Sequence, residues 1–408
     1  MNYQQSLKYV YNLGEFSYDF DLNRIKIFLE KLANPQDKLK IIHVAGTNGK
    51  GSVCAYISST LQNAKYNVGL FTSPHISDIR ERIQINRKLI SKNEFSEFTT
   101  KFHKLANKYS LTYFEFLTAM AFWHFERRKV DFAVIEVGLG GRLDATNVVK
   151  NTLISIITNI SLEHTQYLGY TIKKISGEKS GIIKNNGTVI TGSTGIALKT
   201  IKEFAKKKNA AIFPVKITKK YKLPLFGNHQ QQNASIAAKC AQILNISNKN
   251  IQEGLKKTNL PGRFEVRQFP PLRLWRIRHR SNGENKFKII VDVAHNPAGM
   301  LVLKDSIKKY FNKKLNFVFG VLKDKDYKNM IKNISPIANK VFISAPKIKR
   351  ALKPETVKNE FIKYIPIKNV FVYKDIKSAT KSAVNSLSNF CITGSFYTVS
   401  EAIKCLRI

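Results

Sequence analysis

Apolar residues in this chain come in unbroken runs rather than in strict alternation with polar ones. KIIHVAG (40–46), NVGLFTS (67–73), DFAVIEVG (131–138), TLISIITNI (152–160) and GTVITG (187–192) are largely apolar, and all but TLISIITNI close on glycine or a small polar residue. Such runs belong to strands buried on both faces, as in parallel sheets. Helical patterns separate them: SVCAYISSTLQNA after the first run, a polar amphipathic stretch from Glu94 to Tyr109, and an apolar one from Phe114 to Glu126. Strand alternating with helix predicts crossover units and a doubly wound sheet.

The rhythm breaks near Leu260-Pro261-Gly262-Arg263. Pro270-Pro271 and the basic stretch LRLWRIRHR follow, and Asn282-Gly283 offers a two-residue hairpin turn. A new series then begins with KIIVDVAHNP, LNFVFGV, KVFISAP, NVFVYKD and FCITGSF. The boundary falls within Arg263 to Gln268, giving domains over 1–265 and 266–408, and a length of 408 residues suits two domains.

The stretch HVAGTNGKGS (43–52) joins the first strand to the first long helix. It departs from the usual phosphate loop, because Val44 stands at the first glycine position and Gly51 follows Lys50. The strand–loop–helix context is nevertheless the one a phosphate loop requires. Gly46, Gly49 and Gly51 let backbone N–H groups approach phosphate oxygens, Lys50 reaches the β- and γ-phosphates, and Ser52 serves phosphate or metal. The expected architecture is therefore α/β: a large P-loop-type, doubly wound, mainly parallel sheet domain followed by a smaller Rossmann-like α/β domain.

Other polar groups gather where the remaining strands end, the edge at which open α/β sheets bind ligands. Ser73 follows the second strand in TSPHISDIRERIQIN, with His75, Arg80 and Arg82 beyond it. Glu136 ends the strand in VIEVGLGGRLDATN; a carboxylate there needs a cation or donors. Mg²⁺ prefers oxygen ligands and keeps waters beside phosphates, which suits Glu136 and Ser73. Asp144, Thr146 and Asn147 are loop groups able to hold a substrate, and Glu163 and His164 close the next strand. Lys179 lies in an apolar-flanked helix, where a phosphate or substrate role competes with that of an ordinary surface lysine. Asn233 and Arg263 lie near the boundary, and Asp292 and His295 follow a strand of the second domain. An ATP cleft with a divalent metal fits phosphoryl transfer.

Composition narrows the setting. Lys and Arg number 68 against 28 Asp and Glu, a net charge of +40 that fits either a polyanion partner or a Lys-favouring genome. The lysines are spread over the whole chain, which favours genome bias. No apolar run reaches the ~18 residues of a membrane helix, and the start MNYQQSLKYVYNLGEF lacks the build of a signal peptide, so a cytoplasmic protein is expected. The four cysteines, Cys54, Cys240, Cys391 and Cys405, form no C-x-x-C pair and suggest no zinc site.

Taken together, HVAGTNGKGS, TSPH…ERI, TYFEFLT, VIEVGLGGRLDATN, LEHTQYLG, GEKSGII, HQQQNA, PGR, DVAHNP and ITGSFY resemble folylpolyglutamate synthase/dihydrofolate synthase of the Mur ligase superfamily, in order and over nearly the whole chain. The resemblance implies a Mur-ligase central-type ATP domain followed by a C-terminal Mur-type domain. It also implies a reaction: ATP phosphorylates a carboxylate, and L-glutamate attacks the acyl phosphate, releasing ADP and phosphate. The acceptor is a reduced folate, with 7,8-dihydropteroate as the second candidate.

Carried over by position, Gly49, Lys50, Gly51 and Ser52 form the ATP loop, joined by Asn233, Arg263 and Asp292. Ser73, Glu136 and His164 hold Mg²⁺, with a second ion supported by a carbamylated Lys179. Lys50, Lys179, His164, Arg263 and His295 carry the catalysis. The pterin side is lined by Asp21, Leu22 and Asn23, by Thr112, Tyr113, Phe114 and Glu115, and by Leu143, Asp144 and Ala145. Neither nucleic acid nor membrane is an implied partner, and a monomer is expected.

Three features differ from the family pattern. DLNRI replaces a GLER-type stretch, Val293 replaces a glycine in D-G-A-H-N-P, and LRLWRIRHR reads as an insertion that either decorates the surface or attracts a polyglutamate tail. Lys323 to Asp326 resembles a family segment without an assigned role. Two other readings remain at this stage. One is a Mur-type ligase for a cell-wall precursor, against which stand Lys-Gly-Ser in place of Lys-Thr and the lack of a UDP-binding module ahead of the loop. The other is a basic P-loop nucleic-acid binder, against which stands the absence of any such motif. Lys50→Ala and Glu136→Ala are each expected to abolish ADP formation with the fold intact by circular dichroism; full activity in either purified variant refutes the assignment.

Overall fold

The computed structural model describes residues 1–14, 21–269 and 287–406; the LRLWRIRHR stretch and the Asn282-Gly283 turn lie outside them. The chain divides into two compact units, one of Met1–Pro224 with His229–Asn259, the other of Leu225–Asn228 with Leu260–Ile408.

The first unit is built on eight strands: β1 (Ile41–Ala45), β2 (Val68–Phe71), β3 (Ile83–Ile85), β4 (Lys88–Leu89), β5 (Phe132–Glu136), β6 (Ile154–Ile157), β7 (Thr188–Thr191) and β8 (Ala211–Pro214). Their order is β4-β3-β2-β5-β1-β6-β7-β8. The six strands from β2 to β8 in that order pair in parallel, as the continuous apolar runs predict. After β1 the chain winds to one side, through β2 to β5, and then crosses to the other side with β6. The reversal places the loop after β1 beside a topological switch point.

Two antiparallel strands extend the sheet. β3 pairs with β2 and β4 with β3 through a two-residue turn at Asn86 and Arg87, whose φ angles are 49° and 64°. Such turns favour Asn-Gly, so an Asn-Arg pair conceals the hairpin in the sequence. The edge strand β8 ends in a proline, which suits a strand with no further neighbour.

The helix Lys50–Asn63 is buried from Gly51 to Leu61, so that stretch has no solvent-exposed face. The site-bearing strands rest on an aromatic core in which Phe28, Phe71, Phe95, Phe98, Phe116, Phe122 and Phe125 are fully buried. Phe98 meets Phe116 edge-on at 5.2 Å, a packing that adds to the area each ring buries.

The second unit has β9 (Glu265–Phe269), β10 (Phe287–Val291), β11 (Leu315–Phe319), β12 (Ala338–Ile343), β13 (Val370–Val372) and β14 (Phe390–Thr393) in the order β13-β12-β11-β14-β10-β9. All pairs are parallel except β9 with β10. β9 comes from the stretch where the sequence rhythm breaks, and its antiparallel return gives the mainly parallel sheet a different edge.

In the first unit the helix Asn248–Lys256 packs on the helix Lys50–Asn63 through Gly254. A Cβ at this glycine would lie 2.4 Å from the Thr60 Cα, which cannot move without the helix. Gly254→Ala is expected to destabilise the fold by about 1–3 kcal/mol, read by urea unfolding.

Candidate active site

The order β2-β5-β1-β6 brings four strand ends side by side. β5 ends on Glu136 opposite Val44 of β1, and Ile135 pairs with Phe71 of β2. Ser73 lies two residues past β2, and its backbone N–H donates to Glu136 Oε2 at 2.8 Å. Glu136 is buried, so this bond and its other contacts must replace water around the carboxylate.

Next to this pair is the loop after β1, which β6 holds in shape. Thr47 N–H donates to the Asn159 carbonyl at 2.7 Å and Asn48 N–H to Asn159 Oδ1 at 3.0 Å. Thr158 Oγ1 donates to the Asn48 carbonyl at 2.7 Å. Gly46 has φ +146°, and a Cβ there would stand 1.9 Å from Thr158 Oγ1, so only glycine fits. The helix begins at Lys50, and Val53 N–H makes its first long bond back to the Gly49 carbonyl at 2.8 Å. The N–H groups preceding Val53 form the donor-rich end of that helix.

Two lysines converge on this loop. Lys50 Nζ donates to the carbonyls of Gly46 and Thr47 at 3.2 and 3.3 Å, and Lys179 Nζ donates to the Gly46 carbonyl at 2.7 Å. Burial, and then the neighbouring Lys50 charge, lower the Lys179 pKa to about 7, while Glu163 and Asp144 oppose the shift. The helix Ile172–Ser180 delivers Lys179, and its last turn is fixed by the loop after β5. Arg142 N–H donates to the Glu178 carbonyl at 2.8 Å, and Gly141 lies so close that a Cβ would be 3.0 Å from the Lys179 carbonyl.

A third element closes the other side. On the helix Asn228–Ile243, Asn233 Oδ1 abuts Gly49, where a Cβ would be 2.5 Å away. Asn233 Nδ2 donates to Gln230 Oε1 at 3.1 Å, and Gln230 Nε2 donates to Ser52 Oγ at 3.4 Å. His164 has a left-handed φ of 50°, and its Nε2 lies 3.9 Å from Glu163 Oε1.

In the second unit a separate group forms beyond β10. Asp292 accepts from the Phe264 and Ala294 N–H groups, both at 2.8 Å. Burial raises its carboxyl pKa, and the Arg263 guanidinium works against that. Arg263 stacks over the Phe396 ring at 5.2 Å, and the His295 ring lies 5.6 Å from the same ring. Val293 is buried, donates its N–H to the Gly262 carbonyl at 3.0 Å, and offers its own carbonyl to His295 Nδ1 at 2.9 Å. Both contacts are made by the backbone, so a glycine in this place would make them as well.

The family models match in the same two-part order: the Mur ligase middle domain over residues 44–266 and the Mur ligase glutamate ligase domain over 275–395. The chain is 34% identical to the dihydrofolate synthase/folylpolyglutamate synthase of Bacillus subtilis, covering 99% of both. It belongs to the folylpolyglutamate synthase/dihydrofolate synthase family. Among solved structures it is similar to Escherichia coli FolC in complex with DHPP and ADP, with TM-score 0.87 and 25% identity over 100% of this chain and 98% of that one. It is also similar to a bifunctional folylpolyglutamate synthase/dihydrofolate synthase with Mn, AMPPNP and L-glutamate bound, with TM-score 0.85 and 26% identity over 100% and 98%. These relatives favour the folate ligase over a cell-wall or nucleic-acid reading.

Against this family background the remaining sequence candidates have distinct surroundings. Asp21 Oδ1 accepts the Asn23 N–H at 2.9 Å and so starts the helix Asn23–Lys31, which carries Arg24 to Glu115 at 3.3 Å. Thr112 and Glu115 cap the helix Tyr113–Arg127 reciprocally, while Tyr113 is buried beneath Arg82. The half-buried Phe114 presses on Gly138, next to the end of β5, where a Cβ would be 2.5 Å from its ring. Leu143 and Ala145 flank Asp144 in the loop after β5, and burial raises the Asp144 carboxyl pKa. His75 Nδ1 accepts from Arg82 Nε at 2.9 Å, and Cys54 is a buried helix-packing residue.

Sequence reasoning missed Gln230, Asn159 and His43. Only His43 left a signal, as a lone imidazole inside an apolar run.

An amine whose pKa falls from 10.5 to about 7 weakens the folded state in full below pH 7, and the penalty fades as pH rises toward 10.5. In bicarbonate-free buffer, Lys179→Met is therefore expected to stabilise the protein against urea more at about pH 6 than at about pH 9. An equal gain at both would contradict the lowered pKa.

Proposed function

We propose that the chain is an ATP- and Mg²⁺-dependent, ADP-forming ligase that adds L-glutamate to a reduced folate and to 7,8-dihydropteroate. The observation that carries this reading is the meeting of Lys50 and Lys179 at one carbonyl of the phosphate loop, in the same sheet edge as the Ser73–Glu136 pair. The Lys50 ammonium, crowded with Lys179 against that carbonyl and beside a helix N-terminus, favours an incoming anion, and a polyphosphate supplies it. The relatives with ADP, AMPPNP, DHPP and L-glutamate bound support the same substrates for this chain.

The chemistry proceeds in two displacements. A carboxylate oxygen of the acceptor attacks the γ-phosphorus and ADP leaves. The glutamate amine then attacks the acyl carbon, loses its proton and expels phosphate, leaving an amide. The helix N-terminus at Gly49 to Ser52 holds the phosphates, and Lys50 offsets their charge. Asn233 and Gln230 keep Gly49 and Ser52 in place for that contact.

Glu136, Ser73 and His164 are the residues that would hold a divalent cation. Among the described residues no three His, Cys, Asp or Glu side chains form a metal-holding group. That donor set fits an ion completed by phosphate and water oxygens, as Mg²⁺ prefers. When bound, the ion neutralises charge on the phosphate oxygens. Lys179, with its pKa near 7, presents a neutral amine in ordinary buffer, the form that combines with CO₂. Its carbamate would support a second ion. Arg263, Asp292 and His295 extend the ATP contacts in this reading. The working unit is a single chain in the cytoplasm.

Dihydropteroate and tetrahydrofolate, offered separately with ATP, Mg²⁺ and labelled glutamate, are both expected to yield labelled products with one ADP per amide. No labelled product from either overturns the ligase, and one substrate alone reduces it to a single activity. Stripping CO₂ and bicarbonate is expected to slow both reactions reversibly; an unchanged rate removes the carbamate.

A further inference from the structure

His43 sits in the middle of β1 with no exposed surface, facing the loop after β5. Its Nε2 is 2.8 Å from Thr146 Oγ1, and its Nδ1 has no hydrogen-bond partner among the described residues. Thr146 Oγ1 is in turn 2.5 Å from Asp144 Oδ1, which also accepts the Thr146 N–H at 3.0 Å. Asp144 Oδ2 accepts the Leu139 N–H at 2.8 Å. One carboxylate thus ties the two ends of the Leu139–Thr146 turn together.

The proton positions follow from counting donors. A hydroxyl has one proton, and Thr146 faces two groups able to take it. A proton on His43 Nδ1 would be an orphaned buried donor, whereas a bare lone pair there is tolerated more easily. The imidazole proton therefore belongs on Nε2, where it donates to Thr146 and turns the hydroxyl proton toward Asp144. Burial keeps this ring neutral, with its pKa lowered to about 3, so the arrangement holds at ordinary pH. Each donor to Asp144 favours the carboxylate form that burial opposes.

The loop so closed is the one whose Gly141 and Arg142 seat the backbone of Glu178 and Lys179. We propose that His43 is a positioning residue for the ligation: its Nε2–H aims the Thr146 hydroxyl at Asp144, which keeps the loop after β5 closed and Lys179 in register with the phosphate loop. The proposal deepens the ligase reading and rests on it for its kinetic consequence. It assigns no substrate contact to His43.

Two measurements on the full-length protein test it. Nitrogen-15 spectra of the imidazoles are expected to show His43 as the neutral Nε2–H tautomer, with its signals displaced in Thr146→Val. An imidazolium, or a proton on Nδ1, overturns the proposal whatever the activity.

In kinetics, His43→Leu is expected to lower kcat about ten- to a hundredfold. The KM for ATP should change by less than about twofold, because its loop is held separately by Asn159 and Asn233. His43→Gln, whose amide nitrogen can stand near the place of Nε2, should recover most of the loss. The double variant with Thr146→Val should be no slower than the slower single one. A folded His43→Leu enzyme with wild-type kcat, a parallel loss of ATP affinity without rescue by Gln, or additive losses in the double variant each overturn the proposal. A wild-type protein that makes no amide at all would instead sink the ligase reading, with the tautomer result still standing.

Discussion

Lys50 and Lys179 share the carbonyl of Gly46, and the surroundings of that single oxygen must accommodate both amines. Two ammonium groups cannot both stay charged beside one weak acceptor in a buried place without cost. The fold answers by letting Lys179 lose its proton near neutrality and by placing Glu163 and Asp144 within reach of its charge. In the proposed reading, an anion placed there offsets the Lys50 charge and removes the cost of crowding the two lysines. An apolar site of the same shape would be more stable and chemically inert.

Much of the surrounding structure serves to keep that meeting from relaxing. β6 and its following residues grip the phosphate loop from one side through Thr158 and Asn159. The helix bearing Gln230 and Asn233 closes the other side, and the loop after β5 fixes the end of the helix that carries Lys179. Beneath them lies the phenylalanine core, whose rigidity gives the strand ends fixed spacing. Glu136 then stands one strand away from the loop after β1 and Ser73 two, in positions set by sheet register rather than by flexible linkers.

The parallel strands were legible because a strand buried on both faces is almost continuously apolar, and KIIHVAG and DFAVIEVG are short runs ending in glycine, the length and boundary of a strand rather than of a buried helix. The junction of β1 with the helix Lys50–Asn63 was legible because an apolar run, a glycine cluster and a helical pattern follow one another there. The hairpin of β3 and β4 was hidden by Asn86-Arg87, a turn without glycine. Strand β8 lay hidden in a short, half-exposed edge. Gln230 and Ser52, 178 residues apart, meet only through tertiary packing, and no local pattern announces it. Thr112, Glu115 and Asp144 read as substrate groups from their motifs, whereas the structure shows each capping a helix or closing a loop, a role that a linear pattern does not display.

The close approach of Asn233 to Gly49 has an outcome for heredity as well as for binding. Any side chain at Gly49 would strike the Asn233 amide, and withdrawing that amide would remove the support of Gln230 on Ser52. Neither position can drift alone without a loss felt at the phosphate loop. A smaller residue at 233, 184 positions away, would open the space but not relieve the strain of a side chain at φ +88°, so the glycine is the more tightly held of the two.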